Sequence, residues 1–293
     1  MPKLNTFVCP IIRTDFIEKC LETLYEYTEP NFYVFVIDQS VDGINYNKLK
    51  DKIHMYIRPY RNLGFSKAIN TGFALSQTEY VTALNDDVEF IDKRWWPGVE
   101  ATFAMEDKIK VVNPNSPKEG AWGYGLKSDN VDTWKPVEGF VYDGEKSVTP
   151  VIDGININTP ELAREHYDDL LNKHPIWTKD TLCDALACWC TVFKREGLKE
   201  FGLFDERFYP GGGEDYDMMA DIYSRGYRAV GTTKSWVWHY WGKSRDTDPK
   251  DPIFSRPRWN DLEENWGDEF DVWGKDKEGK PLKRLQPKLI DEL

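Results

Sequence analysis

Residues 1–90 contain four short apolar runs, separated by stretches whose apolar side chains recur at helical spacing. The runs cover residues 6–12, 32–37, 54–57 and 80–84. Each has the length of a strand and is too short for a buried helix. After the first run, Ile17, Leu21, Leu24 and Tyr25 share one helical face, with Asp15 placed to cap it. Before the fourth, Phe65, Ala68, Ile69, Gly72 and Phe73 share another. Strands that alternate with helices fold as a parallel sheet covered on both faces, because parallel neighbours need a crossover. The spacing therefore predicts an α/β fold with a doubly wound, mostly parallel sheet. Such a sheet opens its ligand crevice at the carboxyl ends of its strands.

Chemistry is therefore to be sought in the residues just after each run. The fourth ends in Asn85-Asp86-Asp87. Adjacent carboxylates repel each other unless a cation or donor sits between them. Mg2+ and Mn2+ accept such oxygens while a substrate diphosphate fills other positions. A polar strand-to-loop corner that caps the next helix would look the same. Asp38 closes the second run, where a carboxylate can accept an N–H of a nucleobase or cap its own turn. After the third run, Arg61, Asn62 and Lys67 surround a helix start, where free N–H groups favour an anion or a ribose-phosphate. Asn62-Leu63-Gly64 is also an ordinary turn.

Past residue 115 the alternation loosens. Residues 137–142 and 148–152 read as a hairpin, and residues 160–171 as a helix with proline near its start. The segment 116–182 is an expected insertion over the crevice, and its Trp122, Tyr124, Trp134 and Trp177 are candidate stacking platforms for an acceptor. Regularity returns with a strand over 187–193 and a helix over 214–225 that stops at Gly226. Gly211, Gly212 and Gly213 precede that helix and deliver Glu214 and Asp215 to its amino end, with Asp217 in the first turn. A carboxylate there stays ionised and can deprotonate an acceptor hydroxyl. An acidic first turn is also common in plain helices. His239 lies further on among aromatics, as a core histidine or as a metal ligand. The charged tail carries Trp259, Trp266 and Trp273, which are expected to pack on the domain.

Composition narrows the partners. Fifty acidic residues against 38 basic ones give a net charge of −12, which disfavours a phosphate-tracking or anionic-membrane surface. A nucleic-acid partner is disfavoured on that ground, although a local basic patch stays compatible with one. No run reaches the length of a membrane span, the amino terminus lacks a signal-peptide core, and five cysteines form no CxxC pair. The expected compartment is cytoplasmic, with reduced thiols. Oligomeric state is not readable from these features.

Four of these motifs, in this order, carry a resemblance. Arg61-Asn62-Leu63-Gly64-Phe65-Ser66-Lys67 with Asn70 and Gly72, and the strand ending in Asn85-Asp86-Asp87, resemble family 2 glycosyltransferases of the GT-A fold. So do Gly202-Leu203-Phe204-Asp205-Glu206-Arg207-Phe208 continuing through Glu214-Asp215-Tyr216-Asp217, and Trp238-His239 with Ser244. The likeness covers residues 5–115 and 183–245. It implies an inverting transfer from a nucleotide-sugar, a UDP-sugar favoured, to a glycan or other hydroxyl acceptor, with Mn2+ or Mg2+. It implies that Asp38 contacts the base and that Asn85-Asp86-Asp87 is the DXD-type motif. Asp87 would be the principal metal ligand, Asp86 would lie near ribose or metal, and His239 would complete the metal site or hold the diphosphate. Asp215 would be the general base, with Glu214 and Asp217 orienting the acceptor or the loop and Gly213 on the acceptor side. The first DXD position is Asn85, which removes one charge, and the second strand ends in Asp38-Gln39-Ser40 rather than the commoner Asp-Asp-Gly-Ser.

The implied organisation is a GT-A domain over 1–245, divided at 115 and 182, with a C-terminal extension over 246–293. Two other readings use the same residues. One is a non-catalytic carbohydrate- or nucleotide-binding protein. The other is a nucleotidyltransferase, which usually carries a glycine-rich, basic loop after its first strand. Here that position holds Cys9-Pro10-Ile11-Ile12-Arg13-Thr14, without glycine.

Overall fold

Strand β1 (Asn5–Ile11) sends Phe7, Cys9 and Ile11 into one apolar layer and Val8 into another. The next strand, β2 (Phe32–Asp38), divides Val34 and Val36 from Phe35 and Ile37 in the same way. Burial on both faces is why these runs read as continuously apolar. Each fully buried Phe, Ile or Val contributes about 1.5–3 kcal/mol. The computed structural model describes residues 4–120, 139–142, 147–174, 182–184, 188–240, 259–267, 278, 280 and 282–288.

The amino-terminal half keeps the alternation. Helix α1 (Ile17–Tyr27) leads to β2, the short α2 (Tyr46–Leu49) to β3 (Met55–Ile57), and α3 (Gly64–Leu75) to β4 (Tyr80–Leu84). Two residues of β5 (Val88–Glu89), then α4 (Trp95–Phe103) and β6 (Ile109–Asn115) complete it. Helices α1 and α4 cover one face of the sheet and α3 the other. Asp15 does not cap α1. Phe16 holds the cap position without a side-chain bond, and Asp15 pairs with Arg13 at 2.6 Å.

A second, small sheet holds β7 (Glu119–Gly120), β8 (Phe140–Tyr142), β9 (Ser147–Ile152) and β10 (Ile155–Asn156). The hairpin pairs β8 with β9 antiparallel, Phe140 opposite Pro150. The single helix expected over 160–171 is two, α5 (Pro160–Glu165) and α6 (Tyr167–Lys173), because His166 leaves helical geometry at ψ 25°.

The chain then rejoins the main sheet through β11 (Leu182–Asp184), β12 (Cys190–Lys194), α7 (Arg195–Phe201), α8 (Glu214–Ser224) and β13 (Arg228–Trp236). Strand β14 (Trp238–His239) and helix α9 (Trp259–Trp266) come last. Eight strands run in the order β11-β13-β6-β12-β4-β1-β2-β3. Pairing is parallel among β3, β2, β1 and β4 and between β13 and β6. Strand β12 lies antiparallel between β4 and β6. Leu262 and Trp266 of α9 pack with Phe208 and Ala220, while Trp273 and the side chain of Trp259 lie outside the described residues. Among the described residues no helix is long and apolar enough to cross a membrane.

Candidate active site

The acidic triplet and the histidine are brought together by a two-stranded ladder. Strand β5 pairs antiparallel with β14, Val88 opposite His239 and Glu89 opposite Trp238. The Tyr240 N–H donates to the Asp87 carbonyl at 3.0 Å, and the His239 N–H to Ser116 Oγ at 3.1 Å. With the backbone so fixed, His239 Nε2 stands 3.3 Å from Asp87 Oδ1, both side chains buried. Trp189 stacks on the imidazole at 4.9 Å and 10°, and its carbonyl accepts the Asn85 N–H at 2.7 Å.

Asp86 lies beside them, 6% exposed. Burial, then the like charge of Asp87, pushes its carboxyl up to about 8. Its Oδ2 has no hydrogen-bond partner among the described residues, and neither has His239 Nε2. Asp87 and His239, with Asp86 next in the chain, could supply part of a divalent-cation site. Among the described residues, however, no group of three or more His, Cys, Asp or Glu side chains could hold a metal by itself. The set fits a cation that takes its remaining oxygens from a diphosphate, as Mg2+ and Mn2+ commonly do.

This arrangement makes the site sensitive to pH. A carboxyl whose folded pKa stands above 3.8 costs the metal-free protein stability as pH rises from about 4 towards about 8. A bound cation should remove that penalty and release a proton. Mn2+ affinity should therefore rise with pH up to about 8, with proton release visible by calorimetry in buffers of different ionisation enthalpy. An affinity flat from about pH 6 to 8 would count against Asp86 as part of the site.

Asp38 is fully buried, and its carboxylate is committed to its own loop. Oδ1 accepts from Ser40 N and Ser40 Oγ at 3.0 and 2.5 Å, and Oδ2 from Ile44 N and Tyr56 Oη at 2.9 and 2.6 Å. Burial alone would raise its pKa, but the bonds from Ser40, Tyr56 and Ile44 outweigh it and hold the carboxyl low. A nucleobase N–H would have to displace one of four donors. Asp38 here acts as the turn cap, and Arg58 fastens the same loop from outside through the Val41 carbonyl at 2.7 Å.

The amino end of α3 is also already satisfied at its first donors. Gln39 Oε1 accepts the Leu63 N–H at 2.6 Å, Asn62 Oδ1 the Gly64 N–H at 2.8 Å, and the Pro210 carbonyl the Phe65 N–H at 2.7 Å. Those three groups do not await an anion. Lys67 Nζ lies 3.2 Å from Glu206, and Arg61 is exposed beside Tyr60. Gly64 sits at φ +77°, and a Cβ there would stand 2.8 Å from Tyr209. Close approach of this helix start to the glycine loop therefore requires glycine.

That loop ends at Gly213, whose left-handed φ of 99° caps α8. The Glu214 carboxylate folds back to accept the Gly212 N–H, and Asp215 Oδ1 accepts the Tyr216 N–H at 2.9 Å. Burial raises the Cys188 thiol, and the charges of Asp215 and then Glu214 add to it. The charge of the acidic pair is thus felt at Cys188, the residue next to Trp189, which stacks on His239. Asp217 faces elsewhere. It is fully buried and accepts from Asn265, Trp266 and Arg284, contacts that suit ordering the loop. Trp122, Tyr124 and Trp177, with Trp134 and Ser244, lie outside the described residues.

Residues 8–200 match the model of glycosyl transferase family 2. The chain belongs to that family. Among solved structures it is similar to GalNAc-T7 with UDP, GalNAc and Mn2+, at TM-score 0.59 and 18% identity over 91% of this chain and 49% of that one. A mannosyltransferase from Pyrobaculum calidifontis in complex with GDP-Man and Mn2+ aligns at 0.49 and 16%, covering 86% of this chain and 59% of that one. TarS 1-349 from S. aureus aligns at 0.48 and 15%, covering 80% and 60%. The fold is that of GT-A glycosyltransferases, and the chain spans about half the length of GalNAc-T7. None of the curated proteins matches it.

As a family 2 glycosyltransferase the chain holds contacts that sequence patterns did not single out. Trp189 reads as core because it sits between two cysteines in a short apolar run. Its stacking partner His239 lies 50 positions away in the chain. Glu89 is buried, accepts Arg164 and Tyr240 at 2.5 Å each, and so ties α5 to the ladder that carries Asp87 and His239. Only its place two residues after the triplet marks it. A cavity of about 570 Å3 lined by Tyr25, Tyr27, Trp96 and Glu100 opens at the amino ends of β1 and β2, away from these carboxylates.

Proposed function

We propose that this family 2 member is an inverting glycosyltransferase that moves a sugar from a nucleotide-diphosphate sugar, a UDP-sugar first, to a hydroxyl of a glycan or glycoconjugate. The observation that carries the reading is the approach of His239 Nε2 to 3.3 Å from Asp87 Oδ1, beside the buried Asp86 at the carboxyl end of β4. The fold likeness to GalNAc-T7, a structure with UDP and Mn2+, supports it.

Asp87 and His239, with Asp86 alongside, would hold Mn2+ or Mg2+. When bound, the cation supplies charge that offsets what builds on a departing diphosphate. The chain's own residues account for the rest. Asp215, at the amino end of α8, takes the acceptor's proton as the acceptor oxygen bonds to the anomeric carbon and the bond to the diphosphate breaks. Attack on the face opposite the leaving group inverts the sugar carbon. Glu214 orders the glycine loop through Gly212 rather than touching the proton. Asp38 shapes the loop against which a base would lie, and Arg61, Asn62, Lys67 and Asn85 line the same sheet edge. Residues 1–245 form the catalytic domain on this reading, 116–182 its acceptor lid and 246–293 an extension. The described free thiols Cys9, Cys20, Cys188 and Cys190 fit a cytoplasmic setting.

Slow hydrolysis of the donor needs no acceptor, so a panel of UDP- and GDP-hexoses with Mn2+, Mg2+ or EDTA tests the reading. One nucleotide-sugar should be hydrolysed with metal and spared with EDTA. Equal rates under all three conditions would remove the metal from the proposal, and no hydrolysis or binding of any donor would favour a different ligand.

A further inference from the structure

The sequence motif around Asp205 and the acidic face of α8 converge on the C-terminal segment, far along the chain. Asp217 and Asp221 are four residues apart and share one face of α8, whereas Asp215 lies about 200° around the helix from Asp217. Residues 282–288 lie along the shared face. Arg284 reaches Asp217 at 2.8 Å, Asp221 at 3.1 Å and Asp205 at 2.6 Å, all three carboxylates buried. Lys288 reaches Asp221 at 2.7 Å and the Phe201 and Leu203 carbonyls at 3.0 and 2.7 Å. Asn265 and Trp266 of α9 each donate to Asp217 Oδ1 at 2.9 Å. Arg207 links Asp205 to Asn265 and to the Pro287 carbonyl.

The grip falls on both sides of the glycine loop. Asp205 precedes residues 209–213 in the chain, and Asp217 comes after the two acidic residues that the loop delivers. Burial pushes the Asp217 carboxyl up and the Lys288 ammonium down, so neither charge is stable there without its partners. An apolar contact between α9 and α8 would tolerate sliding. A three-way guanidinium fork does not, because each hydrogen bond has a direction.

We propose that the C-terminal segment is a brace for the catalytic face of α8, and that Arg284 is a positioning residue. By fastening Asp205, Asp217 and Asp221 from behind, it fixes where the 209–213 loop ends and where Asp215 is presented. The inference rests on the reading of Asp215 as the base. It assigns the tail a task in turnover and none in donor binding. Misplacing a catalytic group by about 1 Å costs on the order of 10²-fold in rate.

The test uses full-length Arg284→Met and Arg284→Lys, with Asp215→Asn as the control for the base. Lysine keeps the charge but has one ammonium for three carboxylates. Donor hydrolysis should fall in the order wild type, Lys, Met, by about tenfold to 100-fold for Met. UDP affinity with Mn2+ should stay within about twofold, since no donor contact is removed. Amide exchange should quicken at residues 209–217 and not in β1, β2 or β4. Wild-type turnover in Arg284→Met would overturn the brace. So would lost turnover with unchanged exchange at 209–217, or exchange that quickens throughout the sheet. If Arg284→Met does not fold, Arg284→Lys carries the same readouts. Asp215→Asn should lose turnover with normal exchange, so an error about the base appears in that variant alone.

Discussion

Asp87→Ala should abolish the strengthening of UDP binding by Mn2+, while the metal-free protein stays folded and melts no lower than wild type. Two physical terms set this expectation. The first is the ligand: even residues that merely orient a metal ligand cost 10–100-fold in metal affinity when removed. Loss of the carboxylate nearest His239 should cost at least about 100-fold, or roughly 2.7 kcal/mol. The second term is repulsion. Asp86 and Asp87 are adjacent and buried, and Asp87 is, after burial itself, the main reason that the Asp86 carboxyl is pushed up. Deleting Asp87 relieves that repulsion, which offsets the lost contact with His239. A purely structural corner would behave in the opposite way, with a lower melting temperature and no change in metal response. Calorimetric titration of UDP with and without Mn2+, beside thermal melts in EDTA, separates the two. Equal UDP affinity with and without metal in the wild type would end the metal reading before any variant is made.

Asp215→Asn should lower donor turnover by about 10²–10⁴-fold, the usual consequence of losing a general base. The substitution keeps size and removes the proton acceptor, so UDP affinity should hardly move and the loss should lie in kcat. Glu214→Gln should be milder for a reason visible in the loop. The Glu214 carboxylate accepts the Gly212 N–H, and glutamine retains an oxygen for that bond. Initial rates and UDP titrations on both variants check the pair. Should Asp215→Asn turn over normally while Glu214→Gln is dead, the base is Glu214. Should both remain active, transfer does not proceed by an in-line base.

Much of the architecture was legible because periodicity and strand length are local properties. Phe7, Cys9 and Ile11 against Val8, or Val34 and Val36 against Phe35 and Ile37, show in sequence that both faces of these strands are buried. Direction was not legible. The run containing β12 looks like any buried strand, and nothing in its composition says that it enters antiparallel between β4 and β6. The break at His166 was hidden as well, since the apolar spacing continues through it.

The site divides along the same line. The chain by itself determined which oxygen-bearing residues stand at strand ends and helix starts: Asp86 and Asp87 after β4, Glu214 and Asp215 in the first turn of α8, Asp38 at the end of β2. Backbone period and local capping chemistry decide those positions, and both act over a few residues. Tertiary structure alone decided which of them remain available. Asp38 is occupied by Ser40, Ile44 and Tyr56, the first donors of α3 by Gln39, Asn62 and Pro210, and Asp217 by Asn265, Trp266 and Arg284. The same carboxylate is a turn cap, a metal ligand or half of a buried ion pair according to what packs against it. The partner that decides Asp217 lies 67 positions away, beyond the reach of any local pattern.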